Sequence, residues 1–274
     1  MIQDDYVAVI MSVYINDSLI DFKESIDSIL NQSYHKFEVY IYVDGPVKSE
    51  MEMFLRDVSN NDYVQVIFSD SNMGLAHALN ELIDIVVDRN YFKYIARMDS
   101  DDISRVERLS KQVSFMKNNP EVSLSGAYCR EFGNDMALEC KKVPLKHSEI
   151  VDYSISRCPL IHPTVIFDIC LFEKGFRYPT DNILTEDMCF WVELLREGFI
   201  FANLDDVVLD FRISNATLFR RNGYRKGVNE LFLRFCHMKS MNRVSMLNII
   251  KILSKFFTYL LPPSILKIAY KNLR

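Results

Sequence analysis

Three carboxylates crowd into the four residues Asp99, Ser100, Asp101 and Asp102, directly after a strand-like apolar stretch at residues 91–98. Carboxylates this close together repel one another, so a cation or water must offset the repulsion. Mg²⁺ and Mn²⁺ prefer oxygen ligands, and Mg²⁺ commonly binds through one or two carboxylates plus substrate phosphates. The cluster therefore suggests a metal that holds a phosphorylated substrate. The alternative is a solvated acidic turn in which Asp102 or Ser104 caps the following helix.

The elements around this cluster follow a repeating β-α pattern. Strand-like apolar runs lie at residues 6–13, 37–43, 64–68 and 91–98, and amphipathic helix-like stretches lie at 18–30, 49–58, 74–87 and 105–117. Such alternation predicts an α/β fold with a doubly wound, parallel sheet. Ligands of these sheets bind at the carboxyl ends of strands. Asp44 follows the second strand and the acidic cluster follows the fourth, so we expect both at one edge of the sheet.

The second half of the chain is less regular. Further strands are predicted at 122–127, 164–167, 199–202 and 207–211, and a helix at 187–197. Beyond residue 219 the chain becomes helical and basic. An uncharged run at 256–266 is too short to span a bilayer, which needs about 20 residues.

Composition and charge narrow the class of protein. Of the 274 residues, 49% are hydrophobic and 25% charged, as in ordinary globular proteins. The six cysteines form no C-x-x-C pair and the N-terminus is acidic, so we predict a cytoplasmic protein without a signal peptide. Residues 219–274 hold twelve lysines and arginines but one acid, Glu230, which leaves that segment at about +11 and the remainder at about −16. We therefore expect this segment to bind an anionic partner.

Several motifs occur together in a recognisable order: VIMSVYIN at 9–16, VDG at 43–45, NMGLAHALN at 72–80, ARMDSDD at 96–102, RVERL at 105–109, HPT at 162–164, TED at 185–187 and FRIS at 211–214. The ordered set resembles the family 2 glycosyltransferases, which are inverting enzymes of the GT-A fold that use nucleotide-diphospho sugars. Ser12 stands where the family usually has proline, Ile15 is inserted, and the motif at Asp44 is shorter by one aspartate. The resemblance covers roughly residues 7–214.

The resemblance implies a GT-A fold with a Rossmann-like, mostly parallel sheet flanked by helices and a C-terminal helical extension. It divides the chain into a catalytic domain at 1–218 and a basic amphipathic helical tail at 219–274. Within the domain, a nucleotide-sugar half covers about 1–105 and an acceptor half about 106–218.

The resemblance also implies site residues, beginning with the donor. Tyr14 and Asp44 should receive the uridine, and Asp101 should coordinate Mn²⁺ or Mg²⁺ with Asp99 as a second contact, in the manner of a DxD motif. The full donor set is Ser12, Tyr14, Asp44, Asn72, Gly74, Ala76, Asn80, Arg97, Asp99 and Ser100.

On the acceptor side, Asp187 is the expected general base, and Glu186 is expected to bind or orient the acceptor. The acceptor set is His162, Glu186, Trp191, Arg212, Arg220 and Arg221. A base opposite the leaving diphosphate would invert the configuration at the anomeric carbon.

Structural alternatives remain open for these residues. Tyr14 is a possible core aromatic, Asp44 a turn former before Gly-Pro, and Asn72 a helix cap. Arg97 could simply pair with a neighbouring aspartate. For Glu186 and Asp187, acids in a first helical turn are favourable by about 0.3–1 kcal/mol without any catalytic role. Asn80 could be a solvated helix residue and His162 a structural loop residue. Arg220 and Arg221 could belong to a solvated face.

The expected reaction is transfer of glucose or galactose from UDP to GlcNAc or GalNAc on undecaprenyl diphosphate, in the synthesis of O-antigen, lipopolysaccharide or another bacterial surface polysaccharide. The alternatives are a nucleotidyltransferase, which would usually show a glycine-rich phosphate loop after the first strand, and a non-catalytic nucleotide-sugar-binding domain.

The tail has two interpretations. One side of a predicted helix carries an apolar stripe flanked by Lys251 and Lys255, which fits a cationic helix lying on the inner face of the cell membrane. The stripe consists of Leu247, Ile250, Leu253, Phe256, Phe257, Leu260 and Leu261. The same stripe could instead dock on the catalytic domain. An apolar stripe suits a membrane better than nucleic acid, so no nucleic-acid partner is expected.

Overall fold

The computed structural model describes residues 5–181, 185–213 and 224–259. The described strands are β1 (Val7–Val13), β2 (Phe37–Val43), β3 (Val64–Phe68), β4 (Tyr94–Arg97), β5 (Ile103–Ser104), β6 (Leu124–Phe132), β7 (Ile166–Asp168) and β8 (Phe201–Arg212). The described helices are α1 (Leu19–Leu30), α2 (Ser49–Val58), α3 (Leu75–Arg89), α4 (Arg108–Asn118), α5 (His147–Ser154), α6 (Cys170–Glu173), α7 (Glu186–Arg196), α8 (Tyr224–Ser240) and α9 (Met246–Thr258), with a short 3-10 helix at His162–Thr164.

The strands form one sheet in the order β3-β2-β1-β4-β7-β6-β8-β5. β1, β2, β3 and β4 pair in parallel, whereas β7 is antiparallel to both β4 and β6, and β5 is antiparallel to β8. β2 and β4 lie on opposite sides of β1, which makes the carboxyl end of β1 a switch point where α/β sheets bind ligands. The predicted α/β fold is confirmed, and its second half adds antiparallel strands.

Helices cover both faces of the sheet. Alternate residues of β1 point into two different apolar clusters, with Val9 in one and Ile10 in the other. The first cluster includes α1, α2 and α4, and the second includes α3, α6 and α7. Burial on both faces explains why β1 and β2 are almost continuously apolar in sequence.

Several predicted elements differ from the structure: β4 begins at Tyr94 rather than at residue 91, and β6 extends to Phe132 rather than ending at residue 127. The separate strands expected at 199–202 and 207–211 are a single strand, β8, whose pairing with β6 shifts register between Leu204 and Val207. The polar residues Asp205 and Asp206 are exposed at this bulge, so their polarity interrupts the pattern but not the strand. The helix expected from residue 105 begins at Arg108.

The tail contributes two helices that the structure describes, α8 and α9, which pack against each other. α8 also packs against α7. Within the described ranges, no helix is long and apolar enough to cross a membrane. The remaining tail residues, including Leu260 and Leu261, lie outside the described part of the chain.

Candidate active site

The acidic cluster lies immediately after β4, beside the switch point. One carboxylate oxygen from each of Asp99, Asp101 and Asp102 lies within 4.8 Å of the others. Asp101 is exposed, Asp99 is half-buried and Asp102 is fully buried. Ser25 of α1 donates a 2.9 Å hydrogen bond to the backbone oxygen of Asp99, which fixes the turn. Three carboxylates therefore converge on one small space, from the surface to the interior.

Asp102 is not the helix cap that the sequence suggested. Its Oδ1 accepts a 2.8 Å hydrogen bond from the backbone N–H of Arg212, and it has no exposed surface. Ser104 lies in β5, and the residue that precedes α4, Glu107, makes no side-chain cap. The solvated-turn alternative is wrong because the chain after the cluster pairs with β8 before the helix begins.

The electrostatics of the cluster suit a cation. Burial, together with the charges of Asp99 and Asp101, raises the pKa of Asp102 well above its usual value. Desolvation, with the charges of Asp99 and Asp17, raises the pKa of Asp101 to about 7. The Oδ2 atom of Asp102 is buried and has no hydrogen-bond partner among the described residues. A divalent cation would offset the repulsion and engage oxygen ligands, so these residues fit Mg²⁺ or Mn²⁺.

Two buried arginines lie beneath the cluster. The guanidinium of Arg97, at the end of β4, pairs with Asp99. Arg108 of α4 donates to the backbone oxygen of Arg97 at 2.6 Å and to Gln112 Oε1 at 2.9 Å. Burial lowers the pKa of Arg108 to about 9. These bonds fix the strand end from which the acidic cluster departs.

The loop after β1 is tied to the same cluster. Asp17 Oδ2 accepts hydrogen bonds from the backbone N–H of Tyr14 at 3.1 Å and from Ser100 Oγ at 2.9 Å. Ser12 is half-buried near the end of β1. The structure thus places the expected donor residues Ser12, Tyr14 and Ser100 around the carboxyl ends of β1 and β4.

The end of β2 is joined to the start of α3 through Asp44. Its carboxylate accepts backbone N–H bonds from Met73 at 2.7 Å and from Gly74 at 2.9 Å, while the Asn72 amide donates to the Asp44 backbone oxygen at 3.1 Å. Gly74, with φ of 93°, is the residue that precedes α3, so Asn72 is not its cap. Ala76 lies half-buried in the first turn of α3. Asp44, Asn72, Gly74 and Ala76 therefore form one connected border of the site.

Tyr178 connects the two halves of the site. Its backbone exchanges two 2.8 Å hydrogen bonds with the Asn80 side chain, and its hydroxyl lies 2.9 Å from His162 Nε2. Burial lowers the pKa of His162 well below its usual value, with Arg97 adding to the effect. Trp191 is fully buried, with its ring 5.7 Å from that of His162. Trp191 therefore supports His162 from below and presents no surface of its own.

Glu186 and Asp187 form the first turn of α7. Asp187 Oδ1 accepts a 2.7 Å bond from the Met188 N–H, and its Oδ2 lies 3.8 Å from the Cys158 sulfur. Burial, followed by the charge of Asp187, raises the pKa of Cys158 to about 12, so this neighbour stays a neutral thiol. Among the residues that the structure describes, Asp187 has hydrogen-bond donors beside it and forms no ion pair.

The acidic cluster and the α7 acids face the same buried tyrosine. Burial is the main reason why the pKa of Tyr178 lies above its usual value, Arg97 opposes the shift, and the charges of Asp187, Glu186 and Asp99 add to it. The strand-end carboxylates and the α7 carboxylates are thus within electrostatic range of one phenol. The acidic cluster and the candidate base therefore both lie near Tyr178, which is itself hydrogen-bonded to Asn80 and His162.

Arg212 lies at the rim of the cluster. Its guanidinium donates to the backbone oxygen of Asp101 at 2.8 Å and to Glu24 of α1 at 2.6 Å, and lies 4.5 Å from the centre of the Phe132 ring. The structure therefore holds Arg212 between α1 and the acidic cluster. The sequence predicts a different role for it, which is to bind the acceptor. Arg220 and Arg221 lie outside the described residues.

Comparison with known proteins assigns the family. The model described as "Glycosyl transferase family 2" matches residues 8–152, more than half of the chain. The chain belongs to glycosyl transferase family 2. The glycosyltransferase is 31% identical over 269 residues to the Escherichia coli "UDP-Gal:alpha-D-GlcNAc-diphosphoundecaprenol beta-1,3-galactosyltransferase", with 97% of this chain and 95% of that protein covered. Membership makes the chain a glycosyltransferase and removes the nucleotidyltransferase alternative.

Solved structures agree on the fold of the glycosyltransferase. The S. aureus TarS 1-349 complex with UDP-GlcNAc superposes with a TM-score of 0.63 at 15% identity, covering 93% of this chain and 72% of that one. The Pyrobaculum calidifontis mannosyltransferase PcManGT, in complex with GDP-Man and Mn²⁺, has a TM-score of 0.60 at 15% identity, covering 97% and 79%. At these identities the likeness establishes the GT-A architecture alone.

Four residues of this glycosyltransferase's site escaped the sequence argument. They are Asp17, Arg108, Cys158 and Tyr178. Asp17 lies in the loop after β1, so the strand-end argument that selected Asp44 could also have found it. Arg108 lies in the RVERL motif, which was assigned to a helix without a site role. Cys158 and Tyr178 carry no local pattern that separates them from core or loop residues, because the hydrogen bonds that join them to the site reach partners 16 to 98 positions away in sequence.

Proposed function

We propose that this glycosyltransferase moves a hexose, glucose or galactose, from a UDP-sugar to GlcNAc or GalNAc carried on undecaprenyl diphosphate, with inversion at the anomeric carbon. The observation that carries the proposal is the convergence of the acidic cluster within 4.8 Å after β4, together with the Glu186–Asp187 turn that opens α7. A reaction with an anionic leaving group and a hydroxyl nucleophile needs both of these features. The E. coli relative is named for a UDP-Gal donor and a GlcNAc-diphosphoundecaprenol acceptor, and the donor and acceptor classes proposed here follow that name.

The donor would occupy the strand ends. We propose that Tyr14 and Asp44 contact the uridine, with Ser12, Asn72, Gly74, Ala76 and Asn80 bordering the pocket. Arg97, Asp99 and Ser100 would lie near the diphosphate or the donor sugar. Asp101 and Asp99, with Asp102 beneath them, would hold Mn²⁺ or Mg²⁺, and that ion would neutralise charge on the diphosphate when bound.

Asp187 would act as general base. In this proposal its carboxylate takes the proton of the acceptor hydroxyl as the hydroxyl oxygen attacks the anomeric carbon, and the bond from that carbon to the UDP oxygen breaks. UDP leaves with the bonding electrons, so the new glycosidic bond has inverted configuration. Glu186, His162 and Arg212 would position the acceptor, together with Arg220 and Arg221. Trp191 would hold the His162 ring in place and would not contact the acceptor itself.

A lipid-linked acceptor places the reaction at a membrane. We therefore propose a peripheral location on the inner face of a bacterial cell membrane, and a role in O-antigen or related surface polysaccharide repeat units. Such a location brings a cytoplasmic UDP-sugar and the carrier lipid to one surface.

The experiment is a panel of UDP-sugars assayed with a synthetic GlcNAc-diphospho-lipid, with the product linkage determined by NMR. Asp187→Asn should keep UDP-sugar binding while turnover falls about 100-fold or more, as expected when a general base is lost. Glu193→Gln, an exposed acid on the same helix, is the matched control and should keep its turnover. Near-normal turnover of Asp187→Asn refutes the assignment of the base.

The ion and the transfer itself are tested separately. Asp101→Ala and EDTA treatment should each abolish transfer, and full activity in either case contradicts the metal site. UDP binding without transfer from any UDP-sugar would instead support a non-catalytic nucleotide-sugar-binding domain.

A further inference from the structure

Helix α9 carries apolar residues on two different sides. Ile249 and Ile252 pack into a small cluster with Met238 of α8 and with Ile155, and Ile252 is only 1% exposed. This side attaches α9 to the protein. The docking interpretation of the tail therefore holds for one side of the helix, and it leaves the opposite side unexplained.

Hydrogen bonds and an ion pair hold α8, the helix on which α9 packs. Arg234 of α8 donates to Glu230 Oε1 at 2.8 Å and to the backbone oxygen of Ser154 at 3.1 Å, while His237 Nε2 lies 2.7 Å from Ser154 Oγ. Tyr259, just after α9, hydrogen-bonds to Glu230. These bonds fix α8 on α5 and α9 on α8, so the direction in which α9 faces outward is set by the fold.

The outward side of α9 is apolar. Its residues, which we call the outer face, are Met246, Leu247, Ile250, Leu253 and Phe257. At 3.6 residues per turn they lie within an arc of about 120°. Met246, Leu247 and Phe257 are 75%, 62% and 61% exposed. An apolar stripe this exposed on a soluble surface marks an interaction site.

Charge indicates what covers the outer face. Lys251, which is exposed, lies just beyond one border of the arc, and residues 231–259 contain no Asp or Glu at all. The one acid of α8, Glu230, is buried against Arg234. A second copy of the chain packed on this face would bring two like-charged Lys251 side chains to a shared interface, whereas an anionic lipid surface complements this lysine.

We propose that the outer face of α9 is a membrane-docking surface that inserts into the interfacial region of an anionic bilayer, with Lys251 at the phosphate headgroups. The proposal rests on the peripheral location proposed above and assigns it to five side chains. Its position suits the reaction, because α8 packs against α7, the helix that begins with Glu186 and Asp187. An acceptor anchored in the same bilayer would approach the α7 side of the site.

The test is co-sedimentation of the full chain, without substrates, with vesicles of equal parts phosphatidylglycerol and phosphatidylcholine, and with vesicles of phosphatidylcholine alone. Wild-type protein should bind the anionic vesicles more strongly. Leu247→Glu and Ile250→Glu should each weaken binding about ten- to a hundred-fold, since each removes an apolar side chain that the bilayer would bury. Lys251→Gln should weaken binding to the anionic vesicles about fivefold.

Met53→Glu is the matched control, because Met53 is 65% exposed on α2, and its vesicle binding should equal that of the wild type. Fluorescence of Trp191 checks that each variant is folded. No vesicle binding by the wild type, or unchanged binding by Leu247→Glu and Ile250→Glu, overturns the proposal. A dimer in sedimentation velocity that these two substitutions dissociate also overturns it and makes the face an interface between copies.

Catalysis is read out separately with a water-soluble GlcNAc-diphosphate acceptor. Leu247→Glu should leave this transfer unchanged while it reduces transfer to acceptor in vesicles. Failure of the lipid proposal therefore appears in the vesicle assays alone, and failure of the proposed reaction appears in the soluble assay with wild-type protein.

Discussion

Replacing Asp44 by asparagine is a sharp test of how the site is built. The Asp44 carboxylate accepts one backbone N–H on each oxygen, from Met73 at 2.7 Å and from Gly74 at 2.9 Å, and the side chain is 3% exposed. Asparagine has the same shape but turns an NH₂ group toward one of those N–H donors. One hydrogen bond is therefore lost and two buried donors are left facing each other.

The magnitude follows from these contacts. Losing a hydrogen bond to a charged group costs about 1.5–3 kcal/mol. Losing a negative charge near the N-terminus of α3 adds about 0.3–1 kcal/mol. The two effects together predict that Asp44→Asn lowers the free energy of unfolding by about 2–4 kcal/mol.

Urea unfolding monitored by the single tryptophan, Trp191, measures this loss. Asp57→Asn removes the same charge from an exposed position on α2 and should change the free energy of unfolding by less than about 0.5 kcal/mol. If the free energy of unfolding of Asp44→Asn lies within about 0.5 kcal/mol of the wild-type value, the buried carboxylate does not have the stabilising role described.

UDP titration separates the two roles of Asp44. If Asp44 also accepts from the uracil imide, UDP affinity should fall about tenfold in Asp44→Asn, which corresponds to about 1.4 kcal/mol. Reduced stability with unchanged UDP affinity would leave the structural role intact and contradict the uracil contact.

Two further predictions concern the backbone and the tail. Gly45 has φ of 82° and an added Cβ would lie 2.7 Å from the backbone nitrogen of Asn72, whereas Gly175, at φ of 91°, has open space. Gly45→Ala should therefore lose at least about 1 kcal/mol more unfolding free energy than Gly175→Ala, and equal losses in urea unfolding would contradict the close approach. Burial, with Arg234 adding to it, lowers the pKa of His237 to about 4 from about 6.5. Between these two pH values the unfolded chain binds a proton that the folded chain does not, so stability falls by about 3 kcal/mol as the pH drops from 6.5 to 4. His237→Gln should flatten this part of the curve of unfolding free energy against pH, and a curve parallel to the wild type would show that His237 is not buried as a neutral base.

The elements that the sequence predicts well have local causes. Ser18, whose side chain accepts from the Asp21 N–H, and the apolar spacing after it define α1 within one residue. β2 and α2 match their predicted bounds because Asp44-Gly45-Pro46 stops the strand and the helical period resumes at Ser49. Periodicity and turn residues act within a few positions, so they can be read from the chain alone.

The position of the acidic cluster in the fold could also be predicted from the sequence. Parallel strands place their carboxyl ends at one edge, which is why Asp44 and Asp99 could be assigned to the same side of the sheet from sequence. Asp187 cannot be placed from strand order in this way, because α7 reaches the site through antiparallel strands and loops whose path has no fixed period. Its place in the prediction came from the ordered motifs instead.

The sequence by itself determined the family, the alternating β-α half and the concentration of carboxylates after β4. Only the tertiary structure decided what each carboxylate does. Asp102 became a buried acceptor for the Arg212 N–H, 110 positions away, and Asp99, Asp101 and Asp102 were brought within 4.8 Å of one another. The physical reason is that burial and charge proximity depend on which distant segments meet. Asp101 and Asp102 read as part of a solvated turn in the sequence, and their pKa values rise only because β5 pairs with β8 and the folded chain surrounds the cluster.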